Sequence, residues 1–331
     1  MRSLRLCAVG DLRLYDEPIP SPAPGEALLH VSAVGICGSD LHWFSEGSIG
    51  DARLSHPLVL GHEIAARTDD GLRVAVDPSI TCGQCKYCRE GNPNFCESLS
   101  FAGHAYQDGA LREYMNWPAR FCFPLPAELS NVDGVMLEPL GVAIHAVDLA
   151  HLRVGMRVAV LGCGPIGLLL VQLARLSGAR QIIATDLLSH RLEAAGALGA
   201  TNVFRVEKDK VSQEVLAAAS HEELDIVFEA AGQNAAVETS IAALKPGGTI
   251  ILAGIPPDDR TTFTASIARR KGVTIKLVRR MKNTYPRAIQ LVQNGMIDVR
   301  SLVTHRFPLE QAAEAFKVAV KREGIKVIIE I

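Results

Sequence analysis

The sequence predicts an α/β protein of two domains, one a doubly wound parallel sheet and the other mostly β. Three observations carry that expectation. The chain has 331 residues, above the usual size of a single domain. From about Val154 short apolar runs alternate regularly with helical stretches. Before about residue 140 the texture is instead rich in proline, glycine and short β-like runs.

In the first region "EALLHVSAVGI", "RVAVDPSI", "ALREYMNW" and "RFCFPLP" have the composition of strands broken by turn residues. The second region opens with "RVAVLG", which leads into an apolar helix through Ser177. "QIIATD" is followed by the helical "HRLEAAGALG", "TNVFRV" by "VSQEVLAAA", and "DIVFEAAG" by "NAAVETSIAALK". "GGTIILAG" and "GVTIKLV" complete the series. Six short apolar strands separated by helices define a doubly wound parallel sheet. Beyond Tyr285 the expectation is a helix in "PRAIQLVQNG", another in "LEQAAEAFKVAV" and a last strand in "KVIIEI". No strand phase is legible for that tail.

Composition narrows the function classes. The chain is 48% hydrophobic and 21% charged, which describes a globular protein with ample core. A net charge of −2 offers no basic surface to nucleic acid or anionic lipid. "MRSLRLCAVGDLRL" alternates charged and apolar residues, so no signal peptide is read. The most apolar stretch, "VAVLGCGPIGLLLVQLARL", holds glycines and a proline and is too broken for a membrane span. The expected compartment is the cytoplasm.

"GCGPIG", Gly162–Gly167, fits the pattern G-x-G-x-x-G directly after a β run and at the opening of a helix. Its glycines allow a tight turn, close approach of backbone to a pyrophosphate, and close helix–strand packing. The helix start offers free N–H groups to phosphate. Asp186 ends the next strand, where a carboxylate accepts ribose hydroxyls and repels a 2′-phosphate, favouring NAD over NADP. Arg191 either lies over the adenine ribose or is simply solvated.

Four of the eight cysteines, Cys82, Cys85, Cys88 and Cys96, are spaced C-x2-C-x2-C-x7-C. Disulfides are rare in reducing cytosol. Four thiolates on one short loop close a tetrahedral Zn2+ shell and leave no position for substrate, so this site is expected to be structural. A catalytic metal keeps an open position and usually mixes ligand types. "GICGSDLHW", "LVLGHEIAA" and "MLEPLGVAIHA" offer Cys37, His62, Glu63 and Glu138. Taken singly, each is more commonly a core or surface residue, and spacing alone does not unite them.

Together "GICGSDLH", "GHE", the four-cysteine loop, "EPLGVAIHA" and "GCGPIG" resemble the zinc-dependent medium-chain dehydrogenase/reductase family, in the same order along essentially the whole chain. "GSIGD", "RRMKNTYP" and "LVTHRFPLEQAAEAF" look most like its polyol dehydrogenases. The resemblance implies a GroES-like catalytic zinc domain over 1–145 and 286–331, and a Rossmann NAD-binding domain over 146–285. It implies Cys37 and His62 as catalytic zinc ligands, with Glu63 or Glu138 or water completing the shell. Asp40 would orient the ligating histidine, and Ser39 and His42 would relay the proton, with Glu138 beside them. Gly162, Gly164, Pro165, Ile166, Gly167, Asp186, Arg191, Ala253, Gly254, Ile255, Val278, Arg279 and Arg280 would bind cofactor. Trp43, Arg280 and Met281 would face substrate.

The implied activity is reversible oxidation of a secondary alcohol to a ketone, with two Zn2+ per chain and NAD as hydride acceptor. The partners expected are a small alcohol and further copies of the chain, as a dimer or tetramer. Trp43 and Met281 stand where polyol enzymes usually carry tyrosine, and Trp43 cannot accept a hydrogen bond. An amino alcohol, a cyclitol or a β-hydroxy acid therefore stays open as substrate. An NAD-binding protein without turnover is the non-enzymatic alternative.

Overall fold

The computed structural model describes residues 1–220 and 222–331. The chain divides into two compact units, Met1–Pro139 with Lys282–Ile331, and Leu140–Met281. The first crossing falls at Pro139, inside the 20-residue helix Asn131–Ala150.

The first unit is built on a seven-stranded sheet centred on Glu26–Gly35. That strand lies antiparallel to Glu63–Thr68 on one side. On the other side it pairs with Tyr114–Pro118 along its first half and with Lys326–Glu330 along its second. Arg73–Val76 and Cys122–Pro124 extend the sheet beyond Glu63–Thr68, and Val303–Pro308 extends it beyond Lys326–Glu330. The expected runs therefore form strands, and the tail strand "KVIIEI" belongs to the first unit's sheet.

Several elements were not read from the sequence, the long helix Asn131–Ala150 among them; two bear on the site. "VTHRFP" is a strand, half-buried on alternate residues as an outer strand should be. "GSDLHWFSE" is a helix, Gly38–Glu46, inside the mostly β unit. Its start is organised by Asp40, whose carboxylate accepts the Cys37 backbone N–H at 2.9 Å. A run that short and that polar shows no apolar period from which a helix is recognised.

The second unit is a six-stranded parallel sheet. Its order is Asn202–Arg205, Gln181–Asp186, Arg157–Leu161, Leu224–Glu229, Leu244–Leu252, Thr274–Leu277. Strand order thus reverses between Arg157–Leu161 and Leu224–Glu229, the arrangement of a doubly wound dinucleotide fold. Arg157–Leu161 is buried at every residue, as a central parallel strand with both faces covered must be. The intervening helices include Pro165–Leu176, Ser189–Leu198, Gln213–Ser220, Asn234–Ala243 and Ala265–Lys271. Among the described residues no helix is long and apolar enough to cross a membrane.

Candidate active site and metal centres

Cys37, His62 and Glu63 converge in the first unit. Their donor atoms, one sulfur, one imidazole nitrogen and one carboxylate oxygen, all lie within 4.8 Å of one another. The fold explains how. Cys37 ends the connection from Glu26–Gly35 and starts the helix Gly38–Glu46, while Glu63 begins the neighbouring strand directly opposite Gly35. His62 is the residue before it.

Asp40 ties these segments together. One carboxylate oxygen accepts the Cys37 N–H; the other accepts the Gly61 N–H at 3.1 Å and faces His62 Nδ1 at 3.5 Å. A partner at Nδ1 fixes the tautomer and leaves Nε2 as the lone-pair donor. Burial pushes Asp40 up, but His62 and the two backbone donors outweigh it and hold the carboxyl below its ordinary range. Burial pulls His62 down, and Asp40 and Cys37 more than reverse this, holding the imidazole well above its ordinary range. A metal held here would compete with a proton for the ring. The set of one thiol, one imidazole and one carboxylate fits Zn2+ with a position to spare.

The other site residues take distinct places. Ser39 Oγ lies 3.5 Å from His62 Nε2. His42, one turn along the same helix, faces the Glu46 carboxylate at 3.0 Å. Trp43 is 1% exposed and packs into the core of the first unit, with its ring nearly perpendicular to that of His104. Glu138, on the helix Asn131–Ala150, is buried but is not one of the three converging donors. Its carboxyl is raised to about 7, by burial above all and by the charges of Glu63 and Asp77, against the opposing pull of His62 and Lys326. Lys326, which sequence reasoning missed, is fully buried and ion-paired with Glu63. It is the first residue of a tail strand whose phase is not legible in the sequence, and that place hid it.

The cysteines Cys82, Cys85, Cys88 and Cys96 form a second group, again with all donor atoms within 4.8 Å. Cys82 and Cys96 sulfurs are 3.6 Å apart, near the ~3.8 Å that a tetrahedron of ~2.3 Å Zn–S bonds requires. Backbone N–H groups of Cys82 and Cys85 point at neighbouring sulfurs, each at 3.3 Å. Backbone donors from Cys88 and Glu97 bring the Cys85 thiol down to about 6, whereas desolvation pushes Cys88 up to about 12. All eight cysteines are free thiols, so the cluster is not a disulfide knot.

In the second unit the loop Gly162–Gly167 joins Arg157–Leu161 to the helix Pro165–Leu176, with Gly164 as the residue before the helix and Pro165 opening it. Gly162 has φ +100°, and a Cβ there would stand 2.8 Å from the Ala231 backbone; at Gly167 it would stand 1.8 Å from the Gly162 carbonyl. At Gly164 a Cβ would meet only the Arg191 guanidinium, at 3.7 Å, leaving that edge of the loop open to a ligand. Asp186 accepts the Cys163 N–H at 2.8 Å and the Leu188 N–H at 3.0 Å, so it also holds the loop it was expected to serve.

Glu229, not singled out from sequence, ends the strand at the reversal of strand order. It accepts backbone N–H groups from Ala231 at 2.9 Å and Gly232 at 2.7 Å. Its main-chain carbonyl accepts those of Ala253 and Gly254 at 2.8 and 3.0 Å. Ile255 is exposed beyond them, and Val278 donates to Leu252 at 2.9 Å. Arg279 is exposed, Arg280 is half-buried in a left-handed conformation at φ 56°, and Met281 is buried.

Comparison with known proteins agrees with this architecture. Residues 23–127 match the family model for the alcohol dehydrogenase GroES-like domain, and residues 165–294 match the zinc-binding dehydrogenase model. The chain is 39% identical to sorbitol dehydrogenase of Gallus gallus, covering 97% of this chain and 93% of that protein. A short chain alcohol dehydrogenase from Escherichia coli CFT073, solved with NADH, superposes with a TM-score of 0.91 at 27% identity, over 100% of this chain and 99% of that one. A putative zinc-binding dehydrogenase of Sinorhizobium meliloti 1021, solved with NADP, gives 0.90 at 30% identity, over 100% and 99%. The chain belongs to the zinc-binding alcohol dehydrogenase family. Within it the resemblance is to the sorbitol dehydrogenases, and the chain is an oxidoreductase acting on alcohols.

Proposed function

We propose that Cys37, His62 and Glu63 hold a catalytic Zn2+ and that Cys82, Cys85, Cys88 and Cys96 hold a second, structural one. The glycine loop with Asp186 seats NAD, and the reaction is oxidation of a secondary alcohol in a polyol-like substrate to a ketone. The observation that carries this reading is the convergence of three chemically different donors, Cys37 from one segment and the adjacent His62 and Glu63 from another, within 4.8 Å. When bound, zinc supplies Lewis acidity toward the alcohol oxygen, and NAD supplies the hydride acceptor.

The chain's own residues divide the remaining tasks. Asp40 holds His62 in the tautomer that ligates. The Ser39 hydroxyl, beside His62, is placed to take the alcohol proton, and His42, toward the Glu46 end of the helix, to pass it outward. Glu138, buried with a carboxyl near 7, is the second candidate for holding that proton. Asp186 spends each carboxylate oxygen on one backbone N–H and retains lone pairs for ribose hydroxyls, which supports NAD over NADP. The products are ketone, NADH and one released proton. Arg280, Met281 and Trp43 carry the expectation for substrate contact, and the resemblance to sorbitol dehydrogenase is what favours a polyol.

Free thiols throughout the chain support a cytoplasmic location. Assembly as a homodimer or homotetramer is supported by the outer strand Thr274–Leu277, whose Leu277 is 73% exposed. The direct test of function is NADH formation by the zinc-loaded protein across a panel of polyols and vicinal diols. Turnover of at least one secondary alcohol is expected; none with zinc and NAD bound would leave an NAD-binding protein without chemistry.

A further inference from the structure

We propose that Lys326 is a positioning residue of the catalytic centre, holding one carboxylate oxygen of Glu63 so that Glu63 offers only the other to the metal. The inference rests on the reading of Cys37, His62 and Glu63 as metal ligands.

The geometry is a reach across a missing side chain. Gly35 sits in register with Glu63 on one neighbouring strand and with Ile328 on the other. Lys326, two residues before Ile328, shares its face of the sheet, and therefore the face of Glu63. The outer two of three strands lie about 9.6 Å apart, a span only a long side chain closes. Lys326 closes it over Gly35, where a Cβ would stand 1.9 Å from Glu63 Oε2 and 2.9 Å from Lys326 Cε. The ammonium forms an ion pair with Glu63 Oε2 and donates to the Ile36 carbonyl at 3.0 Å. The Ile36 N–H in turn donates to the Val327 carbonyl at 3.0 Å. The tail strand thus grips the residue before Cys37 from both sides and takes Glu63 by one oxygen.

Stability does not account for this arrangement. Buried ion pairs are often replaceable by apolar residues without loss, because desolvation cancels most of the attraction. What the pair does is restrict Glu63. A carboxylate free to use both oxygens would take up the position that an alcohol oxygen needs, and Oε1 alone cannot.

The test uses the full-length protein with Co2+ in place of Zn2+, whose visible bands weaken as coordination number rises. The spectrum of Cys37→Ser, in which only the four-cysteine loop is loaded, is subtracted throughout. Lys326→Met should weaken the remaining bands and lower kcat about tenfold, the scale on which a residue behind a metal ligand acts, with KM for NAD unchanged. Lys326→Arg should restore both. In a Glu63→Gln background the Lys326→Met change should alter neither the bands nor kcat further, since its effect acts through Glu63.

Unchanged Co2+ bands in Lys326→Met, or a further spectral change in the double variant, would overturn the proposal. If Lys326→Met does not fold, the double variant, which leaves no unpaired charge, and Lys326→Arg decide it alone. A Cys37→Ser spectrum identical to that of the parent is a separate failure, that of the ligand assignment itself.

Discussion

The two clusters of metal-ligating side chains are assembled in opposite ways. Cys82, Cys85, Cys88 and Cys96 come from one loop, are chemically identical, and are only partly covered, with Cys96 alone buried. Cys37 and the adjacent pair His62 and Glu63 come from two segments separated in sequence, differ in chemistry, and have a buried surround that includes Asp40 and Lys326. In the reading proposed above, the first arrangement would saturate an ion with its own thiolates, stabilising the loop and excluding substrate. The second would leave a position for substrate and depends on the sheet to hold its donors in place. On that reading a local cluster serves structure, and a dispersed cluster held by strands serves chemistry.

The strongest way to break that contrast is Cys37→Ser. It should remove one of two zinc equivalents and lower kcat/KM by at least ~10³-fold, a loss of about 4 kcal/mol of transition-state stabilisation, with an unchanged far-ultraviolet spectrum. Loss of fold instead would make this cluster structural too. Cys85→Ser probes the other side: roughly 4 kcal/mol of zinc-linked stability should vanish if metal normally stands a thousandfold above its Kd. The melting temperature should then no longer respond to a chelator, whereas loss of turnover without loss of stability would erase the distinction.

Smaller effects sharpen it. Asp40→Asn keeps the shape but weakens the hold on His62, and should reduce metal affinity or turnover by roughly 10–100-fold, read by zinc titration. An effect below twofold would show that His62 is held without it. Asp133→Asn, at the start of the helix that carries Glu138, should cost about 1 kcal/mol and leave metal content unchanged. Asp133 accepts hydrogen bonds from Arg300 at 2.8 Å and from Ser130 at 2.7 Å. Burial pushes its carboxyl up, but these bonds outweigh burial and hold it below the ordinary value. A depressed carboxylate contributes stability above its unfolded pKa, about 3.9, and loses it as pH falls through the folded value. The variant and parent should therefore differ at pH 7 and converge in acid; a constant gap across that range would assign the effect to packing.

Much of this was legible in the residues themselves. The six parallel strands, the glycine loop with Asp186 and the four-cysteine loop are all set by short-range pattern: apolar runs, turn residues and thiols a few positions apart. What the sequence could not decide was which distant side chains would meet. Cys37, His62 and Glu63 are joined by antiparallel register across Gly35, and Lys326 reaches them only because a tail strand returns to the same sheet. The helix Gly38–Glu46 likewise owes its start to Asp40 and not to any apolar period. Local chemistry is written in neighbouring residues, whereas register between strands depends on the whole sheet closing, and it was that closure which brought thiol, imidazole, carboxylate and ammonium together.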